Sequence, residues 1–148
     1  MLDLIIKNGN CYIDGQLKDV DVSVKDGKIQ NIGQVSEEAK NTIDAKALTI
    51  LPGCIDTQTH FREPGSTDTE DLHSGSRAAI AGGITAVFEM PNTNPPTSTK
   101  KEFQRKLDLA KNRMYCNYAF YFGATANNAD ELADLKDLEG CCGIKLFA

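Results

Sequence analysis

Beyond Leu51-Pro52-Gly53 the sequence changes rhythm. Short apolar runs alternate with helix-like stretches of about ten to fifteen residues, the mark of repeated βα units on a parallel sheet. Strands are expected over 54–58, 86–90, 115–122 and 142–147. Helices are expected over 72–81, stopped by Gly82-Gly83, over 100–112, opened by Pro95-Pro96-Thr97-Ser98-Thr99, and over 130–138. Four such strands make half of an eight-stranded βα barrel, which typically takes about 250 residues. The reading is therefore an α/β chain whose residues 51–148 form the first half of a TIM-like (β/α)8 barrel, truncated after its fourth strand.

Before that boundary the pattern differs. Leu4-Ile5-Ile6, then Val20, Val22 and Val24, then Ile29 and Ile32 form short alternating or β-branched runs. Asn8-Gly9, Asp14-Gly15 and Asp26-Gly27 punctuate them, dipeptides that favour the positive φ of tight hairpins. Residues 1–50 are expected to form a small antiparallel β module.

Composition narrows the function. A net charge of −5 argues against a nucleic-acid partner, because phosphate-backbone binders need clustered Lys and Arg. No run approaches the roughly 18 apolar residues of a membrane span, and the start lacks a basic leader, so a cytoplasmic location and no membrane partner are expected. The five cysteines are odd in number and lack CxxC spacing, so reduced thiols are expected rather than disulfides or a thiolate zinc site. The histidines are His60 and His73.

The sharpest segment is Asp56-Thr57-Gln58-Thr59-His60-Phe61-Arg62-Glu63-Pro64-Gly65, at the end of the first barrel strand. Residues two apart on a strand share a face, so Gln58 and His60 are expected to project together into the barrel mouth. A lone histidine at a strand end is, by itself, more often a satisfied hydrogen-bonding residue. The second segment, Met90-Pro91-Asn92-Thr93-Asn94-Pro95, is a proline-stiffened loop that presents side-chain amides at the carboxyl edge of the next strand. The third, Gly143-Ile144-Lys145-Leu146-Phe147, sets a lysine inside an apolar strand. Such a lysine either snorkels to solvent or becomes a neutral amine open to chemistry.

In order and spacing these segments resemble dihydroorotases and related cyclic amidohydrolases, and the resemblance spans essentially the whole chain. It implies two first-strand histidines, one residue apart, that bind a divalent metal, usually zinc. His60 matches the second, while Gln58 stands at the first, where a neutral amide is a weak donor that lowers metal affinity. It implies that Lys145 reacts with carbon dioxide to give a metal-bridging carbamate, and that Arg62 and Asn92 grip a substrate carboxylate. The family's proton-shuttling aspartate and its other metal histidines belong to later strands, so no catalytic acid or base is assigned within these residues. His73, in the first helix, is expected at the surface.

The resulting expectation is hydrolysis of dihydroorotate, a small-molecule substrate, to carbamoyl aspartate in pyrimidine biosynthesis. Two readings stand beside it. One is a non-catalytic remnant, or a subunit that needs a homo-oligomer or a completing polypeptide, because half a barrel leaves strand edges and a core face open. The other is a different cyclic amidohydrolase such as an allantoinase or hydantoinase.

Overall fold

The computed structural model describes residues 1–147. The chain divides into two units, Met1–Pro52 and Gly53–Ala148.

The first unit holds seven strands: β1 (Leu2–Lys7), β2 (Asn10–Ile13), β3 (Gln16–Asp19), β4 (Asp21–Lys25), β5 (Lys28–Gly33), β6 (Ala39–Asp44) and β7 (Thr49–Ile50). They form one sheet in the order β5-β4-β1-β6 and another in the order β3-β2-β7. Asn8, Asp14 and Asp26 take positive φ at the turns, as their Asn-Gly and Asp-Gly dipeptides predict. The module is not wholly antiparallel. Strand β1 pairs in parallel with β6, and β2 with β7, because the chain returns over longer connections that no turn dipeptide announces.

The second unit holds four parallel strands, β8 (Cys54–Thr59), β9 (Ile84–Glu89), β10 (Asn117–Gly123) and β11 (Cys141–Lys145), in the order β11-β10-β9-β8. Sequential order with parallel pairing is what the first four strands of a βα barrel require. Helix α1 (Leu72–Ala81) opens on Asp71, whose side chain accepts from the Ser74 amide at 2.7 Å while Ser74 Oγ reaches back to the Asp71 amide. It stops where Gly83 takes a φ of 84°. Helix α2 (Lys100–Ala110) opens on Thr99, which accepts from the Glu102 amide. It ends two residues before the expected limit, with Asn112 at a positive φ of 60°. The third expected helix, over 130–138, is a 3₁₀ helix, Ala129–Asp137.

The core of this unit lies between sheet and helices. Leu72, Phe103, Ala110, Phe120, Phe122 and Leu135 are its buried members. Phe120 and Phe122 thus face the helices, and Tyr121, between them, faces the other way, where its ring meets Phe88 edge-on. No helix among the described residues is long and apolar enough to cross a membrane.

Candidate active site at the carboxyl edge of the parallel sheet

All three expected segments lie at one edge of the sheet. Register pairs Thr59 with Glu89, Glu89 with Phe120, and Gly123 with Lys145, so the carboxyl ends of β8, β9, β10 and β11 stand side by side. Binding sites of open and closed parallel α/β sheets form at this edge.

Face assignments follow from alternation. Thr59 and Glu89 are buried on the helix-covered face with Phe120, so Gln58 and His60, on either side of Thr59, fall on the opposite face. Lys145 shares that face with Tyr121, because Gly143 pairs with Tyr121 and Lys145 with Gly123. The register of β8 slips between Asp56 and Thr59, where the Gln58 amide donates to Asp56 Oδ1 at 2.9 Å.

His60 and Asn92 meet. Nδ1 of His60 lies 2.9 Å from Oδ1 of Asn92. A carbonyl oxygen only accepts, so Nδ1 is the donor in this contact. A cavity of about 300 Å³ opens at Asn92, lined also by Thr93, Ser98, Thr125 and Phe147, a size suited to a small ring. Gln58 and Arg62 are exposed, and Arg62 holds a positive φ of 61°. Lys145 is half-buried, with Nζ 5.3 Å from the centre of the Phe147 ring. Three interstrand steps separate β11 from β8. At about 4.8 Å each they span roughly 14 Å along the sheet, which only its curl shortens. His73 is exposed on α1, its ring against Tyr115.

The two loops that carry these side chains are bound together through main-chain atoms. The Met90 amide donates to the Thr59 carbonyl at 3.0 Å and the Asn94 amide to the Pro64 carbonyl at 2.9 Å. Gly65, at a φ of 124°, packs so closely on Asn94 that a Cβ there would lie 2.8 Å from the Asn94 Cβ.

Two charged pairs buttress the loops, and sequence reasoning missed both. Glu63 accepts from both terminal nitrogens of Arg113, at 2.8 and 3.2 Å, and from the Leu72 amide at the start of α1. The Glu63 carboxylate beside it holds the Arg113 guanidinium above its ordinary value. Glu89 is paired with Lys106 of α2, both essentially without solvent exposure. Burial lifts the Glu89 carboxyl to about 7 and lowers the Lys106 ammonium, while each partner opposes the other's shift. One signal was available for Lys106: it follows Phe103 by three residues and precedes Ala110 by four, in the middle of the apolar stripe of α2.

Among the described residues no group of three His, Cys, Asp or Glu side chains converges as a metal would need. One imidazole, one neutral amide and one amine fall short of the three protein ligands of a catalytic zinc. These residues do not by themselves complete a metal centre. The five cysteines are free thiols, and burial pushes Cys142 up to about 11, far from a reactive thiolate.

A parallel βα sheet with its polar loops at the carboxyl edge has the architecture of a βα-barrel enzyme, and residues 49–140 match the amidohydrolase family. The chain belongs to that family. It is 41% identical over 146 residues to the allantoinase of Salmonella choleraesuis (strain SC-B67), covering 98% of this chain and 32% of that enzyme. The allantoinase of Escherichia coli O1:K1 / APEC matches to the same extent. Among solved structures, the L-hydantoinase (dihydropyrimidinase) from Arthrobacter aurescens superposes with a TM-score of 0.88 at 32% identity, over 97% of this chain and 32% of that one. The D-hydantoinase from a Thermus species gives 0.70 at 26% identity, over 88% and 31%. The chain thus spans about a third of the length of the relatives it matches. These relatives are allantoinases and hydantoinases, cyclic amidohydrolases, and they support the expected alternative better than the dihydroorotase reading.

Proposed function

We propose that this chain forms part of a hydrolase that opens a small cyclic amide ring of the allantoin or hydantoin type. The observation that carries the reading is the His60–Asn92 pair at 2.9 Å, with Asn92 also lining a ring-sized cavity, on the carboxyl edge of the parallel sheet of a chain 41% identical over 146 residues to allantoinases. In the reaction, water adds to a ring carbonyl and the ring C–N bond breaks, leaving a carboxylate and an amide or ureide nitrogen that takes up a proton.

The contribution of these residues is orientation. Asn92 fixes the orientation of the His60 imidazole. Arg62, exposed at the same edge, offers a guanidinium fork to a negative group on substrate or product. Glu63 and Arg113 hold the loop after β8 against α1.

Incubation of the protein with allantoin, hydantoin and dihydroorotate, followed by detection of the opened products, tests the proposal. Turnover of allantoin or hydantoin that disappears in His60→Ala is the expected result. No turnover of any ring, or turnover unchanged in His60→Ala, refutes it. Dihydroorotate is the second reading, supported by the resemblance of the Arg62 and Asn92 segments to those implied to grip its carboxylate in dihydroorotases, and preference for it in the same panel would select it.

A further inference from the structure

Glu89 and Lys106 are buried to 1% and 0% exposure, and each uses a second bond to reach a loop of the site. Glu89 Oε1 accepts from the Phe61 amide at 3.2 Å, one residue after His60. Lys106 Nζ donates to the Met90 carbonyl at 2.9 Å, two residues before Asn92. The contacts close a ring: His60 and Phe61 to Glu89, Glu89 to Lys106, Lys106 to Met90, and Asn92 back to His60. The far side of Phe61 is also fixed, because its ring lies where a Cβ on Gly75 of α1 would be 2.5 Å away.

Stability alone is a poor reason for such a pair, since well-packed apolar side chains of similar volume often do as well or better. Apolar side chains could fill this space, but they would leave the Phe61 N–H and the Met90 carbonyl without partners. What the charges supply is position. We propose that Glu89 and Lys106 are positioning residues for the reaction at this edge, the carboxylate seating the His60 loop and the ammonium seating the Asn92 loop, so that imidazole and amide meet.

The inference rests on the ring-opening reading only for its catalytic consequence, so geometry and turnover are measured separately. In ¹⁵N-labelled protein, Glu89→Gln keeps an acceptor for the Phe61 amide and should leave the His60 and Asn92 side-chain signals in place. Glu89→Leu should speed Phe61 amide exchange at least about tenfold and move the His60 Nδ1 and Asn92 amide resonances, with His73 and the Val87 and Phe120 amides unchanged. If Glu89→Leu alone unfolds the sheet, the double variant Glu89→Leu/Lys106→Met removes both charges together at similar volume, and the same signals are read in folded protein. A folded variant of either kind whose His60 and Asn92 signals stay at their wild-type positions overturns the proposal. For turnover, displacement of this kind should lower kcat of the double variant by up to about a hundredfold with little change in KM. Unchanged kcat in folded double variant also overturns it. Wild-type protein that opens no ring would refute the proposed function instead and leave the spectroscopic result to stand or fall by itself.

Discussion

The two units of the chain handle charge and core in opposite ways. In Met1–Pro52, Lys40 meets Asp3 at 2.6 Å with both side chains exposed, and the buried cluster is Leu2, Ile5 and Val35. In Gly53–Ala148, an aromatic cluster of Phe103, Phe120 and Phe122 is capped by Glu89 and Lys106, out of reach of water. A solvated pair can exchange partners with water at little cost, whereas a buried one fixes whatever it is bonded to. The strand-and-helix unit is therefore where a substitution should register most, both in stability and at the site.

The largest effect should come from Phe103→Ala, which removes a fully buried ring and should cost about 3–5 kcal/mol in urea unfolding. A loss below about 1 kcal/mol would break the contrast between the units. Gly75→Ala should come next. Helix propensity favours alanine by up to about 1 kcal/mol, yet the new Cβ would lie 2.5 Å from the Phe61 ring. Net destabilisation of about 1–3 kcal/mol is expected from overpacking, and a gain in stability would show that Phe61 is free to move.

An intermediate effect concerns pH. Burial raises the Glu89 carboxyl from 4.5 to about 7, so between those values the folded protein holds a proton that the unfolded chain has released. Its contribution is complete below about pH 4.5 and is lost as pH rises through about 7. Glu89→Gln has no such proton to lose. The stability of wild type relative to this variant should fall across that window, and a flat or rising difference would contradict the burial of Glu89. Asp71→Ala should cost about 1 kcal/mol by uncapping α1. Backbone hydrogen bonding from Ser74 holds the Asp71 carboxyl below its ordinary value, so this cap weakens as acid protonates it. Lys40→Ala should be smallest, within about 0.5 kcal/mol. A cost above about 1 kcal/mol would mean that the β unit depends on its surface pair.

Local chemistry made much of this fold legible in the sequence. Gly82-Gly83 stops α1 at its observed limit, and Asp14-Gly15 and Asp26-Gly27 fall at the β2–β3 and β4–β5 hairpins, while Asn8-Gly9 joins strands of different sheets. Pairing direction was hidden, because alternation shows that β1 and β6 are strands but not that they run parallel. The 3₁₀ form of Ala129–Asp137 was hidden too, since its acidic residues and leucines suit either helix. At the site, the motifs brought His60, Asn92, Arg62 and Lys145 to one edge on paper. The His60–Asn92 bond needs the observed placement of two loops 32 residues apart. Glu89 and Lys106 escaped notice because a charged residue in an apolar pattern reads as solvated until its partner on another element is known.

The atoms that join the two site loops belong mostly to the main chain: the carbonyls of Thr59 and Pro64 and the amides of Met90 and Asn94. Such a frame is indifferent to side-chain identity at most of its positions. Side chains along this edge can therefore change without rebuilding the scaffold that presents them.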